Sequence, residues 1–184
     1  MKYTEVEQKF RLLSPPAELK EQLVALGVAP GRPVRQVDTY YNAPHRDFLD
    51  DEVVSEWLRV RVEDGAASLN FKRFHPLAAP VKTHCDEYES TVADPEAVRR
   101  LLASLDFAEL TVVDKTREEW HADGVAIAFD TVAGLGDFVE FEFKGDAGTV
   151  ELATARLEAF IAALTVELGD RIHLGYPHMT LGLH

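Results

Sequence analysis

Five pairs of like charge, each pair one residue apart, mark where this chain could do chemistry. Glu5 with Glu7, Glu87 with Glu89 and Glu140 with Glu142 are acidic; Arg59 with Arg61 and Lys115 with Arg117 are basic. Side chains alternate faces along a β-strand, so residues i and i+2 share one face. Each pair therefore sets like charges side by side, which costs energy unless opposite charge lies between them. Carboxylate pairs are hard oxygen donors suited to divalent cations. Guanidinium and ammonium pairs suit phosphate oxygens. Sorted sets of both signs, in separate strands, point to a charged interior that holds a metal-bound polyphosphate or nucleotide. The plainer reading of any single pair is a solvated strand face, or arginines that balance surface acid; five pairs of sorted sign outweigh it.

The elements that must position these residues follow from periodicity and punctuation. Tyr3 to Phe10 alternates as a strand, with Glu5, Glu7 and Lys9 on one face. Ser14-Pro15-Pro16 predicts a helix start with Ser14 as N-cap; Leu19, Leu23 and Leu26 form its stripe and Gly27 ends it. Val34 to Asn42 is extended, carrying Asp38 and Tyr40 together. Glu56–Glu63 and Ala67–Phe74 form a hairpin across Asp64-Gly65. His75 to His84 reads as a loop and Asp86 to Val92 as a strand. A second helix starts after Asp94, with Val98, Leu101, Leu102 and Leu105 as its stripe. Thr111–Glu118, Glu119–His121 and Val125–Thr131 are strands, and Gly134-x-Gly136 is a bend between strands, since no helix follows it. Phe138 to Lys144 places Val139, Phe141 and Phe143 on one face and Glu140, Glu142 and Lys144 on the other. A last helix covers about Val150 to Leu168; the tail from Ile172 to His184 fits neither pattern cleanly.

About eight mostly antiparallel strands with helices between groups of them predict an α+β fold. A closed eight-stranded antiparallel β-barrel, or tunnel, would turn the charged faces inward and pack helices on the apolar outside; its interior has room for side chains or one small ligand. Residues 1–184 are expected to form a single domain.

Composition narrows the function. The net charge of −13 argues against nucleic acid and against an anionic membrane surface. No apolar run reaches the length of a membrane span, and the opening residues show no signal-peptide core. The single Cys85 excludes an internal disulfide framework and fits a reducing cytoplasm. It reads as an idle thiol, because no partner histidine can be assigned to it. The seven histidines lack zinc spacing, and His178 and His184 sit in the tail.

The Glu5-x-Glu7-x-Lys9 opening resembles the signature of the CYTH family, the triphosphate tunnel metalloenzymes. The resemblance extends through Asp38-Thr39-Tyr40-Tyr41, Trp57-Leu58-Arg59-Val60-Arg61, Phe71-Lys72, Glu87-Tyr88-Glu89, Lys115-Thr116-Arg117, Asp130 and Gly134 to Glu142, in family order and nearest to the class IV adenylyl cyclase branch. It implies that Lys9, Arg59, Arg61, Lys72, Lys115 and Arg117 grip a triphosphate, and that Glu5, Glu7, Asp130, Glu140 and Glu142 hold Mg2+ or Mn2+. Lys72 with Tyr40 resembles a catalytic pair. The substrate would be ATP, cyclised with release of pyrophosphate, or thiamine triphosphate, tripolyphosphate or a nucleotide, hydrolysed by water. A homodimer is a further expectation of the resemblance. A basic residue is expected just before Glu87, where Thr83-His84-Cys85 stands, and Lys82 is the candidate for that place. The tail does not match a cyclase ending. A polyphosphate-binding module without turnover would keep the basic set and tolerate loss of the acids; a purely structural barrel would use the same charges as internal salt bridges.

Overall fold

A computed structural model describes residues 2–50 and 53–183. Its elements are, in chain order, β1 (Lys2–Glu5), β2 (Glu7–Leu12), α1 (Pro16–Ala25), β3 (Pro33–Asn42), β4 (Glu56–Glu63), β5 (Ala66–His75), β6 (His84–Val92), α2 (Pro95–Ser104), β7 (Ala108–Ala122), β8 (Val125–Val132), β9 (Gly136–Phe143), α3 (Val150–Ala162), β10 (Leu168–Ile172) and α4 (Tyr176–Leu181). The class is α+β with a mostly antiparallel sheet, as expected. The eight strands closed into a ring are not what the pairing gives. Among the described residues there are ten strands, and their order, β1-β6-β5-β4-β3-β7-β8-β9-β2-β10, is linear, with β1 and β10 at its ends. Additional strands come from a break in the opening strand at Val6 and from β10, which begins at Leu168, the last residue of the expected helix, and runs to Ile172. The two strands expected between Thr111 and His121 are one, β7.

The chain forms two compact units. Of the described residues, the first comprises 2–4, 35–50, 53–115 and 174–183; the second comprises 5–34 and 116–173. The first contains β4 to β6, α2, α4 and most of β3. At its hairpin, Asp64 (φ 46°) and Gly65 (φ 82°) both adopt the left-handed conformation that a two-residue turn of this twist requires. Its apolar face carries Tyr41, Val60, Leu58 and Leu69, packed against Leu102, Val98 and Phe107. Asp94 caps α2 by accepting a hydrogen bond from the Ala97 amide at 2.9 Å. Of the expected α2 stripe, Leu101 and Leu105 are each 60% exposed, so only the Val98 and Leu102 side of the helix is used.

The second unit packs α1 and α3 on one face of β2, β8 and β9. Leu19, Leu23, Ala153 and Leu157 meet Val6, Ile127, Phe129, Val139, Phe141 and Phe143 in one buried cluster. Leu26 stands exposed, outside the stripe expected of it. The N-cap of α1 is Pro15, without a side-chain cap, in place of Ser14. Thr149 caps α3 through the Leu152 amide. This helix ends at Ala162, and Leu164, Val166 and Leu168 then pack on the same core in non-helical backbone. Among the described residues no helix is long and apolar enough to cross a membrane.

Candidate functional site

Each unit turns one sheet face to its hydrophobic cluster and collects charge on the other. In the first unit the register sets Asp38 opposite Arg61 and Tyr40 opposite Arg59. Arg59 lies opposite Asn70, and Trp57 opposite Lys72; Lys72 lies opposite Glu87. Residues opposite one another share a face. These side chains therefore stand together, and alternation sends Val60 and Leu69 to the core behind them.

Asp38 is the hub of this face, and it is only 1% exposed. Arg61 donates to it through Nε (2.6 Å) and Nη2 (2.7 Å), a bidentate fork, and Arg59 Nη1 adds a third bond at 3.2 Å. Burial alone would raise the Asp38 pKa. The charges of Arg59, Arg61 and Lys115, with the Arg61 hydrogen bond, overcome it and hold the carboxyl far below the usual carboxylate range. Burial works against the Arg59 charge too, but Asp38, Tyr40 and Glu87 outweigh it and raise its pKa. The buried Arg59 Nε has no hydrogen-bond partner among the described residues. Burial, chiefly, raises the Tyr40 pKa, so its phenol stays protonated at neutral pH.

Lys72 Nζ lies 3.6 Å from Glu87 Oε1, and Asn70 Nδ2 donates to the same oxygen at 2.6 Å. Glu87 thus neutralises a lysine. Glu89 is exposed and accepts from Ser68 Oγ. Lys115 is 4% exposed and sits 4.9 Å from the centroid of the Tyr176 ring. Lys82 does not take the place expected of it: its ammonium donates to Ser55 Oγ and to the Pro76 and Leu77 carbonyls, pinning the β5–β6 loop. The first-unit face therefore carries four cations, Arg59, Arg61, Lys72 and Lys115, against three carboxylates that are not exposed, Asp38, Glu63 and Glu87.

In the second unit the balance reverses. Glu7 lies opposite Glu142, and Lys9 opposite Glu140. Across β9 the small Ala126 and Ala128 oppose Glu142 and Glu140, and Asp130 follows on the same face. Arg117 donates to Asp130 through Nε (2.8 Å) and Nη2 (2.5 Å), and Nη2 also reaches Glu140. Lys9 Nζ lies 3.1 Å from Glu140 Oε1. Lys144 meets Glu142 at 2.6 Å from the solvent side of this face. Glu5 is buried. Four carboxylates (Glu7, Asp130, Glu140, Glu142) thus stand with two cations of the sheet face, Lys9 and Arg117, and with the exposed Lys144; the fifth, Glu5, is buried at the end of β1, before the break at Val6.

The donor chemistry of this acidic face fits a divalent cation. Directly opposed Glu7 and Glu142 repel one another unless a cation stands near, and all five donors are hard oxygens. Among the described residues no three Asp, Glu, His or Cys side chains converge into a ready-made cage.

Two residues of the first-unit face escaped the sequence reading as site members. Asp38 was visible as a neighbour of Tyr40 on one strand face, and its buried hub role comes only from the pairing with β4. Tyr176 lies in the unassigned tail. Cys85 is buried, at 1% exposed, and His184 lies outside the described residues.

An antiparallel α+β protein with one basic and one acidic polar face is the class that this geometry defines. The sequence profile of the CYTH domain matches residues 3–171, and the chain belongs to that family. It is 32% identical over 173 residues, 94% of this chain and 95% of the relative, to a Methanocaldococcus jannaschii protein named "Putative adenylate cyclase". A solved Pyrococcus horikoshii structure is 29% identical, with a TM-score of 0.78 over 97% of this chain and 98% of that one. The Hippeastrum protein HpAC1, described by a dominant triphosphatase activity, shares the fold at 16% identity, with a TM-score of 0.65 over 100% of this chain and 97% of that one.

Proposed function

We propose that this protein is a Mg2+- or Mn2+-dependent enzyme acting on a triphosphate, with residues 1–184 working as one CYTH domain. The observation that carries the reading is the opposite charge surplus of the two polar faces. Arg59, Arg61, Lys72 and Lys115 form the phosphate grip of the first unit. Lys9 and Arg117 are the candidate phosphate contacts of the second. Glu5, Glu7, Asp130, Glu140 and Glu142 supply the oxygen donors for the metal, which, when bound, would neutralise charge on phosphate oxygens. Both guanidiniums of β4 are held by Asp38 with their planes fixed, so little ordering cost remains when phosphate oxygens replace or share that carboxylate. The protonated phenol of Tyr40 is a hydrogen-bond donor to phosphate and not a base at neutral pH.

ATP cyclisation is the first reading, supported by the name of the 32% identical relative. The ribose 3′-oxygen would attack the α-phosphorus, the bond to the bridging β-oxygen would break, and pyrophosphate would leave. Hydrolysis of tripolyphosphate, thiamine triphosphate or a nucleotide is the second, supported by the activity ascribed to the fold relative from Hippeastrum. A binding module without turnover could dispense with the acidic set, and its completeness here argues for catalysis. The deciding experiment separates cyclic AMP plus pyrophosphate from free phosphate on ATP, thiamine triphosphate and tripolyphosphate, with Mg2+, Mn2+ or chelator. Metal-dependent release is expected; no release from any of the three overturns the enzyme reading. Size-exclusion chromatography with light scattering tests the expected homodimer.

A further inference from the structure

We infer that Tyr176 of α4 is a positioning residue for Lys115, holding its ammonium by the ring face so that the lysine serves a triphosphate. The inference rests on the triphosphate reading of the same face. Helix α4 (Tyr176–Leu181) lies beyond residues 3–171, the part that the CYTH profile describes, so membership of the family assigns the helix no role.

Three contacts seat α4 within the first unit. The Lys115 ammonium stands 4.9 Å from the centroid of the Tyr176 ring. The His178 ring meets the Trp57 indole edge-on at 4.8 Å, and Trp57 in turn meets Tyr40 at 5.6 Å. Thr111 Oγ1 and Thr180 Oγ1 lie 3.1 Å apart. The helix has a defined start and stop. The Gly175 amide donates to His178 Nδ1 at 3.2 Å, Pro177 sits in the first turn, and Gly182 closes it in the left-handed conformation (φ 69°).

The chemistry of the contact matters more than its position. A carboxylate that holds a lysine also cancels its charge, as Glu87 does for Lys72 on the same face. An aromatic ring attracts an ammonium through its quadrupole and carries no net charge. Tyr176 therefore restrains Lys115 without itself adding a counter-charge, beside the attraction between Lys115 and Asp38. Tyr176 is itself only 5% exposed, so its ring is fixed by packing. A preorganised cation binds phosphate with less ordering cost than a mobile one.

The test is calorimetric titration of tripolyphosphate with Mg2+ into the full chain, carried out as a double-mutant cycle. Tyr176→Leu should weaken binding about tenfold, within the range of a desolvated cation–π contact. Tyr176→Met, which keeps apolar bulk without a ring face, should do the same and stands in if the leucine variant does not fold. Tyr176→Phe should restore wild-type affinity. In a Lys115→Ala background, Tyr176→Leu should cost nothing further. Wild-type affinity in the Leu and Met variants overturns the inference. An equal loss with and without Lys115 overturns it too, since the tyrosine would then act elsewhere. Absence of tripolyphosphate binding by the wild-type protein would instead strike the triphosphate reading itself, a separable outcome.

Discussion

The two units are built alike and charged oppositely. Each presents one sheet face to a hydrophobic cluster closed by helices, α2 in the first and α1 with α3 in the second. Each gathers ionisable side chains on the reverse face. In the first unit Asp38 is the buried anion among arginines; in the second Arg117 is the cation among carboxylates, holding Asp130 and Glu140. The strand pattern is therefore indifferent to the ligand. What differs is which sign is in excess, and hence which ions each face can take. A face with surplus guanidinium and ammonium binds polyanions. A face with surplus carboxylate binds cations.

Removing a cation from the basic face should break the comparison most severely. Arg61→Ala or Lys72→Ala is expected to lower turnover about a hundredfold to a thousandfold, the scale seen when a preorganised donor to a developing negative charge is lost. Turnover at wild-type rate in either variant, measured as phosphate or pyrophosphate release, would remove these residues from the site.

Removing the hub anion should separate stability from binding. Asp38→Asn leaves the partly buried Arg59 and Arg61 without this counter-charge, a loss of up to about 3–5 kcal/mol, the scale for breaking a buried pair. Added tripolyphosphate should recover much of the lost melting temperature, because a ligand that binds only the folded state stabilises it. A melting temperature unmoved by tripolyphosphate would show that these arginines are purely structural.

The same aspartate sets a pH dependence with a definite sign. Its folded pKa lies below its unfolded value of about 3.9. The stabilisation is fully present above that unfolded value and is lost as pH falls through the lower folded one. Acid unfolding below about pH 4 should therefore flatten in Asp38→Asn. An unchanged acid limb, followed by circular dichroism, would mean that Asp38 is not the linked group.

The smallest expected effect sharpens the acidic face. Glu7→Gln or Glu142→Gln relieves a directly opposed like-charge pair. Without metal, relief of the like-charge pair is offset in Glu142→Gln by loss of the Lys144 ion pair, so the stability change should stay within about 1 kcal/mol. The Mg2+ concentration for half-maximal activity should rise about tenfold, consistent with about 1.4 kcal/mol of lost metal affinity. Unchanged metal dependence in both variants would release this pair from metal binding.

Much of the arrangement was legible in the sequence because strands encode faces by alternation. Val139, Phe141 and Phe143 against Glu140 and Glu142 is a period-two pattern that admits one placement, and Asp64-Gly65 and Asp123-Gly124 mark turns whose residues take positive φ. Helix extent was less legible. Leu164, Val166 and Leu168 continue the apolar run of α3, so a helical reading absorbs them. Their spacing of two was the available signal against a helix, and they pack on the core in non-helical backbone, with Leu168 opening β10. Leu101 and Leu105 satisfy helical periodicity yet stand exposed, because only one side of α2 meets the sheet. The tail carried its own punctuation, Pro177 near the start and Gly182 past the end of α4, but six residues are too few for periodicity to register. Tyr176 became a site candidate only when the fold set it on Lys115. The strand order was beyond reach for another reason: alternation fixes faces, whereas neighbours depend on long-range pairing.

The most direct test of the opposed charge surpluses is a crystal structure of the protein soaked with Mn2+ and tripolyphosphate, with the metal located by its anomalous scattering. The account predicts manganese on the second unit's acidic face at Glu7, Glu140 or Glu142, and phosphate oxygens on Arg59, Arg61, Lys72 or Lys115. Manganese and tripolyphosphate both found away from these residues, with the Asp38 and Arg117 ion pairs undisturbed, would contradict it.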